Sequence, residues 1–381
     1  MSDEPIATSD ARRPGPPLPL TVLTGFLGAG KTSLLNRLLK DPALAGTAVL
    51  INEFGEIGLD HLLVEKISDD LVLLPSGCVC CTMRGDLIDA LERLLRDLDN
   101  RRADLNRVVL ETTGLADPAP VLHTVMVHPY LVMRYRLDGI VTVVDAINGL
   151  ETIDRHPEAM KQAAAADRLA LAKTDLLDTP ERRETAAQLT ARLKRLNPAA
   201  PILDVAAGEA TADRLINCGL YDPGSKVPDV RRWLAEEAYA ANADTHGHGH
   251  HHHGEERIRS LALASDRALP AATFDMFLDL LRGLHGPNLL RVKGIVKIAE
   301  APDQPVVIHG VQHVFHPPTS LPAWPDDDRR TRLVFITCDM DPRAIRDLFD
   351  AFLGAGATDR PDRAALIDNP LVPFGGPDNR A

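Results

Sequence analysis

The sequence predicts an α/β protein in which a domain with a mostly parallel sheet precedes a smaller α+β domain. From residue 20 to residue 205, short apolar runs alternate with leucine-spaced segments, as strands alternate with helices in such folds. After residue 257, predicted strands neighbour other strands, which favours an antiparallel sheet. A low-complexity segment rich in histidine separates the two parts. We therefore expect domains at residues 19–222 and 257–355, joined by a linker at 223–256.

The elements of the first domain follow from its apolar runs. Strands are predicted at residues 20–23, 48–51, 71–74, 107–110, 139–144, 168–171 and 201–205. Leucine spacing predicts helices at 33–39, 86–98 and 181–196. Acidic residues and glycines repeatedly follow the strand ends, and ligands of parallel α/β sheets bind at the carboxyl edge. The functional residues should therefore gather at that edge.

The second domain and the flanking segments are also predicted from pattern and composition. Its strands are expected at 257–264, 289–298, 306–315 and 332–337, and its helices at 271–284 and 343–352. A further helix is expected within the linker, at 231–241. The polar, proline-rich leader at 1–18 and the tail at 356–381 are expected to be disordered or flexible.

Composition excludes several classes of protein. The chain has 381 residues and a formal net charge of −12, and it contains no basic stripe, which argues against a nucleic-acid partner. No apolar run is long enough to cross a membrane, and the N-terminus does not resemble a signal peptide. Three of the five cysteines fall within four positions, which indicates a metal or redox site in a reducing cytoplasm.

The segment after the first strand contains a complete phosphate-binding loop, G-x-x-x-x-G-K-T, between a predicted strand and a predicted helix. Backbone N–H groups of such a loop surround phosphates at a helix N-terminus. Lys31 is expected to reach the β- and γ-phosphates, and the Thr32 hydroxyl to hold Mg²⁺. The residues expected to contact the nucleotide here are Gly25, Gly28, Ala29, Gly30, Lys31, Thr32 and Ser33. The sequence therefore predicts a nucleoside triphosphate site.

Glu111 and Gly114 follow the strand predicted at 107–110, where many nucleotide hydrolases place Asp-x-x-Gly. An acidic residue at this position reaches Mg²⁺, often through a water, and the glycine N–H contacts the γ-phosphate. The alternative is an ordinary acidic residue at a strand end. In register with the phosphate loop, the pattern favours the Mg²⁺ role.

Lys173 and Asp175 follow another strand and form a Lys-x-Asp element that can read the base. A carboxylate at Asp175 accepts from N1–H and N2–H₂ of guanine, whereas adenine presents no donors there. A site of this kind can discriminate between the bases by a factor on the order of 10⁴. Guanine-nucleotide enzymes usually carry Asn before the lysine, and Ala172 stands at that position. We therefore expect GTP to be preferred over ATP, but with lower affinity for the base than in enzymes that carry the Asn.

Cys78, Cys80 and Cys81 form a CxCC motif directly after the strand predicted at 71–74. Neighbouring thiolates suit Zn²⁺, which takes about four ligands in proteins. Local geometry can prevent all three thiols from binding one ion, so Glu53, Glu56 or a histidine could complete the set. Packing of small buried residues and a redox pair are the alternative interpretations of this motif.

Histidines form a second group of candidate ligands. Six of the eight residues at 246–253 are histidine, and neutral imidazoles on a flexible tether would collect metal ions with low specificity. A solvated linker with no binding role is the alternative. His309, His313 and His316 are expected to be surface or core residues of the second domain and are not assigned as ligands.

Taken together, these motifs resemble those of the CobW family of GTPase metallochaperones, which are relatives of the GTPases that load nickel into urease and hydrogenase. The resemblance covers most of residues 20–340. Its motifs are GFLGAGKT at 25–32, NEFGEIGLD at 52–60, GCVCC at 77–81, ETTGLADP at 111–118, VVDA at 143–146, KTD at 173–175, RVKG at 291–294 and RLVFI at 332–336. The resemblance implies a cytoplasmic protein that hydrolyses GTP and delivers a metal, most often zinc, from the CxCC site to a client enzyme. It also implies that the C-terminal domain helps to engage the client.

The resulting hypothesis is a P-loop GTPase domain that couples GTP hydrolysis to metal transfer. Lys31, Thr32 and Glu111 are its predicted catalytic residues, GTP and Mg²⁺ its cofactors, and a client metalloprotein its partner. Some members of the family are associated with cobalt or iron, so these metals stay open beside zinc. The rival hypotheses are a passive zinc buffer regulated by nucleotide and an ATP-dependent small-molecule kinase. No residue is assigned to position the attacking water, so slow intrinsic hydrolysis is expected, and the client and the oligomeric state are left open.

Overall fold

A computed structural model describes residues 16–51, 71–73, 82–216 and 257–354 of the chain. Several predictions lie outside these ranges: the leader, the tail, the linker with its helix and histidine tract, the CxCC motif, and both Glu53 and Glu56. The domain limits at 222 and 256 also lie outside them. The rest of the predicted elements can be compared directly with the structure.

The first domain is built on a seven-stranded sheet in the order β3-β2-β4-β1-β5-β6-β7. All of its strand pairs are parallel. The strands are β1 Leu18–Gly25, β2 Thr47–Ile51, β3 Leu71–Leu73, β4 Arg107–Glu111, β5 Tyr135–Asp145, β6 Arg168–Ala172 and β7 Ile202–Asp204. Each predicted strand of this domain is confirmed, although β5 begins earlier than its apolar run because Tyr135 and Leu137 are also buried.

Helices cover the sheet and connect its strands. They are α1 Lys31–Leu38, α2 Thr82–Asp99, α3 Pro118–Val127, α4 Leu131–Arg134, α5 Gly149–Arg155, α6 Pro157–Ala165, α7 Pro180–Leu196 and α8 Ala212–Leu215. The leucine spacing at 86–98 puts Leu87, Leu91, Leu94 and Leu95 on one buried face of α2. The helices α3 to α6 and α8 were not predicted, because they lack that leucine spacing.

The second domain is a mainly antiparallel sheet with helices, as expected. Its strands are β8 Ile258–Ser265, β9 Leu289–Val296, β10 Val306–Val311, β11 Val314–Phe315, β12 Thr319–Ser320 and β13 Thr331–Cys338. Its helices are α9 Ala271–His285 and α10 Arg343–Phe352. The prediction of one strand over 306–315 is wrong, because the chain turns back at Gln312, where φ is 52°, and forms a β10–β11 hairpin.

The two domains share one hydrophobic core cluster. Ile153 and Leu193 of the first domain belong to the same buried cluster as Ile295 and Val334 of the second. Strand β9 packs against α6, β8 against α7 and β11 against α3. Among the described residues, no helix is both long and apolar enough to span a bilayer.

Candidate nucleotide site

The strand register brings the predicted site residues to one edge of the first sheet. Glu111, the last residue of β4, lies opposite Leu23 of β1 on one side and Ile51 of β2 on the other. Gly25 lies opposite Val143 of β5. Parallel strands present their carboxyl ends on the same side, so β1, β2 and β4 end at one edge of the sheet.

The loop after β1 has the backbone shape of a phosphate-binding loop. Gly25 has a φ of 143°, and an added Cβ would lie 2.3 Å from the carbonyl oxygen of Val143, so only glycine fits. Gly30 is left-handed and caps α1. The Nζ of Lys31 donates to the carbonyl oxygens of Gly25 at 2.9 Å and Phe26 at 3.2 Å. The lysine ammonium therefore lies over the loop, at the N-terminus of α1, where phosphates bind in such folds.

Thr32 and Glu111 form a pair of oxygen donors beside the loop. The Thr32 hydroxyl donates to Oε1 of Glu111 at 3.0 Å, and the Glu111 side chain is buried. Magnesium prefers oxygen ligands at about 2.0–2.1 Å in an octahedron, so adjacent ligands lie about 3.0 Å apart. The chemistry and spacing of these two groups fit Mg²⁺, with Thr32 as a direct ligand and Glu111 as a direct or water-bridged partner.

Gly114 lies against the phosphate loop. A Cβ added at Gly114 would lie 2.6 Å from the backbone nitrogen of Leu27. A larger residue would therefore push the loop after β4 away from the phosphate loop. Two buried hydroxyls also join these loops at their bases, since Thr112 Oγ1 donates to Thr24 Oγ1 at 2.8 Å.

Gln162 on α6 is a site residue that the sequence analysis missed. Its side chain is completely buried, and its Nε2 donates to the carbonyl oxygens of Gly114 at 3.2 Å and Ala116 at 2.9 Å. The signal that could have identified it is an amide followed by four alanines on a helix that is otherwise apolar there. A buried amide on such a face needs hydrogen-bond partners from a neighbouring element.

Lys173 lines the same cavity as the phosphate loop, and its side chain is paired with an acidic residue of the neighbouring strand. It has a φ of 62°, and its Nζ donates to Oδ2 of Asp145, the last residue of β5, at 2.8 Å. Burial opposes ionisation of Asp145, yet hydrogen bonds from Lys173 and from the Ile147 and Asn148 backbones hold its pKa below the ordinary value. Asp145 is the second site residue that sequence reasoning did not assign, and it fixes the lysine.

Asp175 and Ala172 frame the expected base site. Asp175 is exposed in the short 3-10 helix Thr174–Leu176 and is open to a ligand. Ala172 is buried, and a Cβ added at Gly30 would lie 3.6 Å from its methyl carbon. The residue at position 172 therefore sits directly beside the phosphate loop.

A cavity of about 190 Å³ lies between the phosphate loop and helices α5 and α6. Phe26 at its wall stacks on His156, with ring centroids 4.5 Å apart. Its polar lining includes Asp145, Asn148, Gln162 and Lys173. The structure thus brings together the phosphate loop, the Thr32–Glu111 pair, Gly114 and Lys173 around one edge, while Ser33 lies exposed on α1.

This arrangement on a parallel α/β sheet is that of a P-loop GTPase. Residues 19–204 match the family model described as CobW/HypB/UreG, nucleotide-binding domain, and residues 258–353 match the model of the cobalamin synthesis protein cobW C-terminal domain. The chain belongs to the CobW/HypB/UreG family.

Individual relatives support this assignment. The chain is 32% identical over 333 residues to the zinc chaperone YjiA of Escherichia coli (strain K12), a match that covers 87% of this chain and 98% of YjiA. It is 37% identical over 200 residues to the zinc-regulated GTPase metalloprotein activator 1 of Schizosaccharomyces pombe, covering 50% of this chain and 46% of that protein.

A solved structure agrees with the computed fold across both domains. The crystal structure of Zn(II)-bound YjiA GTPase from E. coli matches with a TM-score of 0.61 and 27% sequence identity. The match covers 88% of this chain and 99% of the YjiA chain. The fold predicted from the sequence, a P-loop GTPase domain followed by a smaller C-terminal domain, is therefore confirmed.

Proposed function

We propose that this GTPase is a metallochaperone that binds Zn²⁺ at Cys78, Cys80 and Cys81 and releases it to a client metalloprotein under the control of GTP hydrolysis. Zinc is the cargo in this scheme, and Mg²⁺ with GTP belongs to the hydrolytic site. The names of the relatives, a zinc chaperone and a zinc-regulated metalloprotein activator, support this assignment.

One observation carries the proposal: the last residues of strands β2, β3 and β4 lie side by side in the sheet. Ile51 of β2 lies opposite both Glu111 of β4 and Leu73 of β3. Glu53 and Glu56 follow Ile51 in the chain, and Cys78 comes five residues after Leu73. The candidate zinc ligands therefore follow within a few residues of the ends of two strands, β2 and β3, and β2 is the neighbour of the strand that carries Glu111.

The chemistry of the CxCC segment supports zinc as the cargo. Cys81 directly precedes Thr82, the first residue of α2, and the N-terminus of a helix stabilises a thiolate. Thiolates together with a carboxylate form a ligand set that Zn²⁺ accepts. Ligands drawn from two loops would also let a change in one loop alter how firmly the ion is held.

Nucleotide would control the cargo through those loops. The γ-phosphate with Mg²⁺ orders loops at this edge in related switches, and hydrolysis releases them. If zinc takes ligands from the segments after β2 and after β3, its affinity must differ between the GTP and GDP states. By linkage, zinc must then shift GTP affinity by the same factor. Such a coupling is typically about 5- to 150-fold.

The test is zinc affinity measured against a competing chelator, with GDP and with a non-hydrolysable GTP analogue, on protein purified without affinity resin. We expect different affinities in the two states, and we expect Cys80→Ser or Cys81→Ser to remove the difference while GTP still binds. Equal zinc affinities in the two states would favour the passive buffer instead. Preference for ATP with no metal at the cysteines would favour the kinase.

A further inference from the structure

The buried side-chain amide of Gln162 forms two hydrogen bonds to the loop that follows Glu111. Its Nε2 lies within hydrogen-bond distance of the Gly114 and Ala116 carbonyl oxygens. The orientation of the amide is fixed by these contacts, because the reverse orientation would put its oxygen against two carbonyl oxygens. Gln162 therefore acts as a two-point clamp on the backbone around Gly114.

The helix that carries Gln162 is itself fixed on several sides. The carbonyl oxygen of Gln162 accepts from Thr142 Oγ1 of β5 at 2.8 Å. Directly after Gln162, at the C-terminal end of α6, Asn197 donates to the carbonyl oxygens of Ala163, Ala164 and Ala166 at 2.8–3.1 Å. The helix is also held by apolar packing of Ala159, Met160 and Ala163 in the shared core, so loss of one of these contacts should leave Gln162 in place.

The loop has little other freedom where Gln162 holds it. Gly114 packs on the backbone of Leu27, so a displacement towards the phosphate loop is blocked sterically. Three residues later, Asp117 caps α3 and accepts from Gln312 Nε2 of the β10–β11 hairpin at 2.5 Å. Without the amide of Gln162, only movement away from the phosphate loop is open to Gly114.

We propose that Gln162 is a positioning residue for GTP hydrolysis, which holds the Gly114 N–H where it meets the γ-phosphate. Its Nε2 donates to the Gly114 and Ala116 carbonyl groups, so it would act on the nucleotide through that backbone. Its effect is therefore specific for the triphosphate, because GDP has no γ-phosphate for Gly114 to contact. This inference rests on the GTPase activity and not on metal transfer, and its test contains no zinc. The role of Gln162 and the zinc-transfer proposal can therefore be refuted independently of each other.

The test uses Gln162→Met in the full-length protein, because methionine has a similar volume but no donor. We expect the ratio of affinities for a non-hydrolysable GTP analogue and for GDP to fall about tenfold, and kcat for GTP to fall at least tenfold. Affinity for GDP should change less than about twofold. A general loss of folded protein lowers both affinities together, so it leaves their ratio unchanged.

Asn197→Ala is the matched control, since Asn197 is also a buried amide bound to α6 but does not reach the loop. It should lower thermal stability while leaving the ratio of affinities and kcat within about twofold. Gln162→Glu, of equal length with an acceptor in place of the donor, should reproduce the loss if the methionine variant does not fold. The proposal is overturned if a folded Gln162 variant keeps the wild-type ratio and kcat, or if Asn197→Ala lowers both equally.

Discussion

The Thr32 hydroxyl lies 3.0 Å from Oε1 of Glu111, although the two residues are 79 positions apart in the chain. This contact joins the helix after the phosphate loop to the neighbouring strand β4, and its two oxygen atoms suit Mg²⁺. The contact depends on the register of β1 and β4, in which Leu23 lies opposite Glu111.

Glu111→Gln should therefore weaken Mg²⁺-dependent nucleotide binding and lower kcat for GTP by about a hundredfold, a loss of about 2.7 kcal/mol in transition-state stabilisation. The reason is the loss of a negative charge beside the cation, with the shape of the side chain kept. Steady-state GTPase assays over a range of Mg²⁺ concentrations measure this effect. Glu151→Gln, which changes an exposed carboxylate of α5, is the control, and a wild-type Mg²⁺ dependence for Glu111→Gln would refute the assignment.

Asp175→Asn should shift nucleotide preference from GTP towards xanthosine triphosphate, because the amide donates where the carboxylate accepted. Competition titrations with GTP, xanthosine triphosphate and ATP give the order of affinities. Asp178→Asn, which changes another exposed carboxylate three residues along, should leave that order unchanged. Equal binding of ATP and GTP by the unaltered protein would contradict the base assignment.

Deletion of residues 246–253 should reduce the number of metal ions bound at low affinity and leave metal-free GTP turnover within about twofold. The tract lies between the two family-matched regions, and each of its neutral imidazoles can take part in binding a metal. Equilibrium dialysis with Zn²⁺ counts the weak sites. Replacement of the same histidines by serine, at constant linker length, separates loss of ligands from shortening. A collapse of metal-free turnover in both variants would mean that the tract supports the fold.

Arg291→Met should destabilise the whole protein by about 3–5 kcal/mol, because it removes the guanidinium that pairs with the inaccessible carboxylate of Asp167. The pair spans the two domains, so both should unfold at lower urea concentration. Arg257→Met breaks a bidentate pair with Asp339 that is about half exposed, and it should change stability by only about 0–1 kcal/mol. Similar urea midpoints for the two variants would contradict this view of the interface.

Stability should fall as the pH is lowered from about 7 towards 4, because His309 and His316 are buried as neutral rings. Burial and the nearby Arg291 hold the pKa of His309 well below its ordinary value, and they lower that of His316 to about 4. Lys293 disfavours protonation of His309 as well, and Asp167 only partly offsets these effects. The unfolded chain binds protons below about pH 6.5 that the folded protein excludes, so the free energy of unfolding decreases.

Each of these histidines contributes a slope of up to about 1.4 kcal/mol per pH unit. Urea unfolding at several pH values measures the total slope. His309→Leu should reduce the total slope by the contribution of one histidine. An unchanged slope in His309→Leu would show that His309 gains its proton in the folded state.

The first sheet and its phosphate loop could be predicted because their signals are local. Apolar β-branched runs, leucine spacing and a glycine pattern each lie within about ten residues of sequence. The β10–β11 hairpin could not be predicted in this way, since Gln312 adopts a left-handed conformation without the Gly or Asn that usually indicates such a turn.

The missed residues of the site depend on distant partners. Gln162 binds carbonyl groups 46 and 48 positions earlier, and Asp145 binds Lys173, 28 positions later. Elsewhere in the same sheet, a single charge inside an apolar strand indicates a comparable buried contact. Asp138 of β5 pairs with Arg107 of β4 in the interior, and such charges are rarely buried without a partner. The partner of such a charge depends on the order of the strands in the sheet. A short sequence motif does not contain that information.

The ion pair between Asp167 and Arg291 also bears on how the two halves of the molecule could be exchanged during evolution. Arg291 and Lys293 enter the first domain from β9, and both are almost completely buried there. A second domain from another protein, without these two cations, would leave the Asp167 carboxylate buried and unpaired at an apolar domain interface. Recombination between relatives should therefore preserve the β9 cations together with Asp167, while diversity accumulates on surfaces remote from the join, such as the outer face of α9.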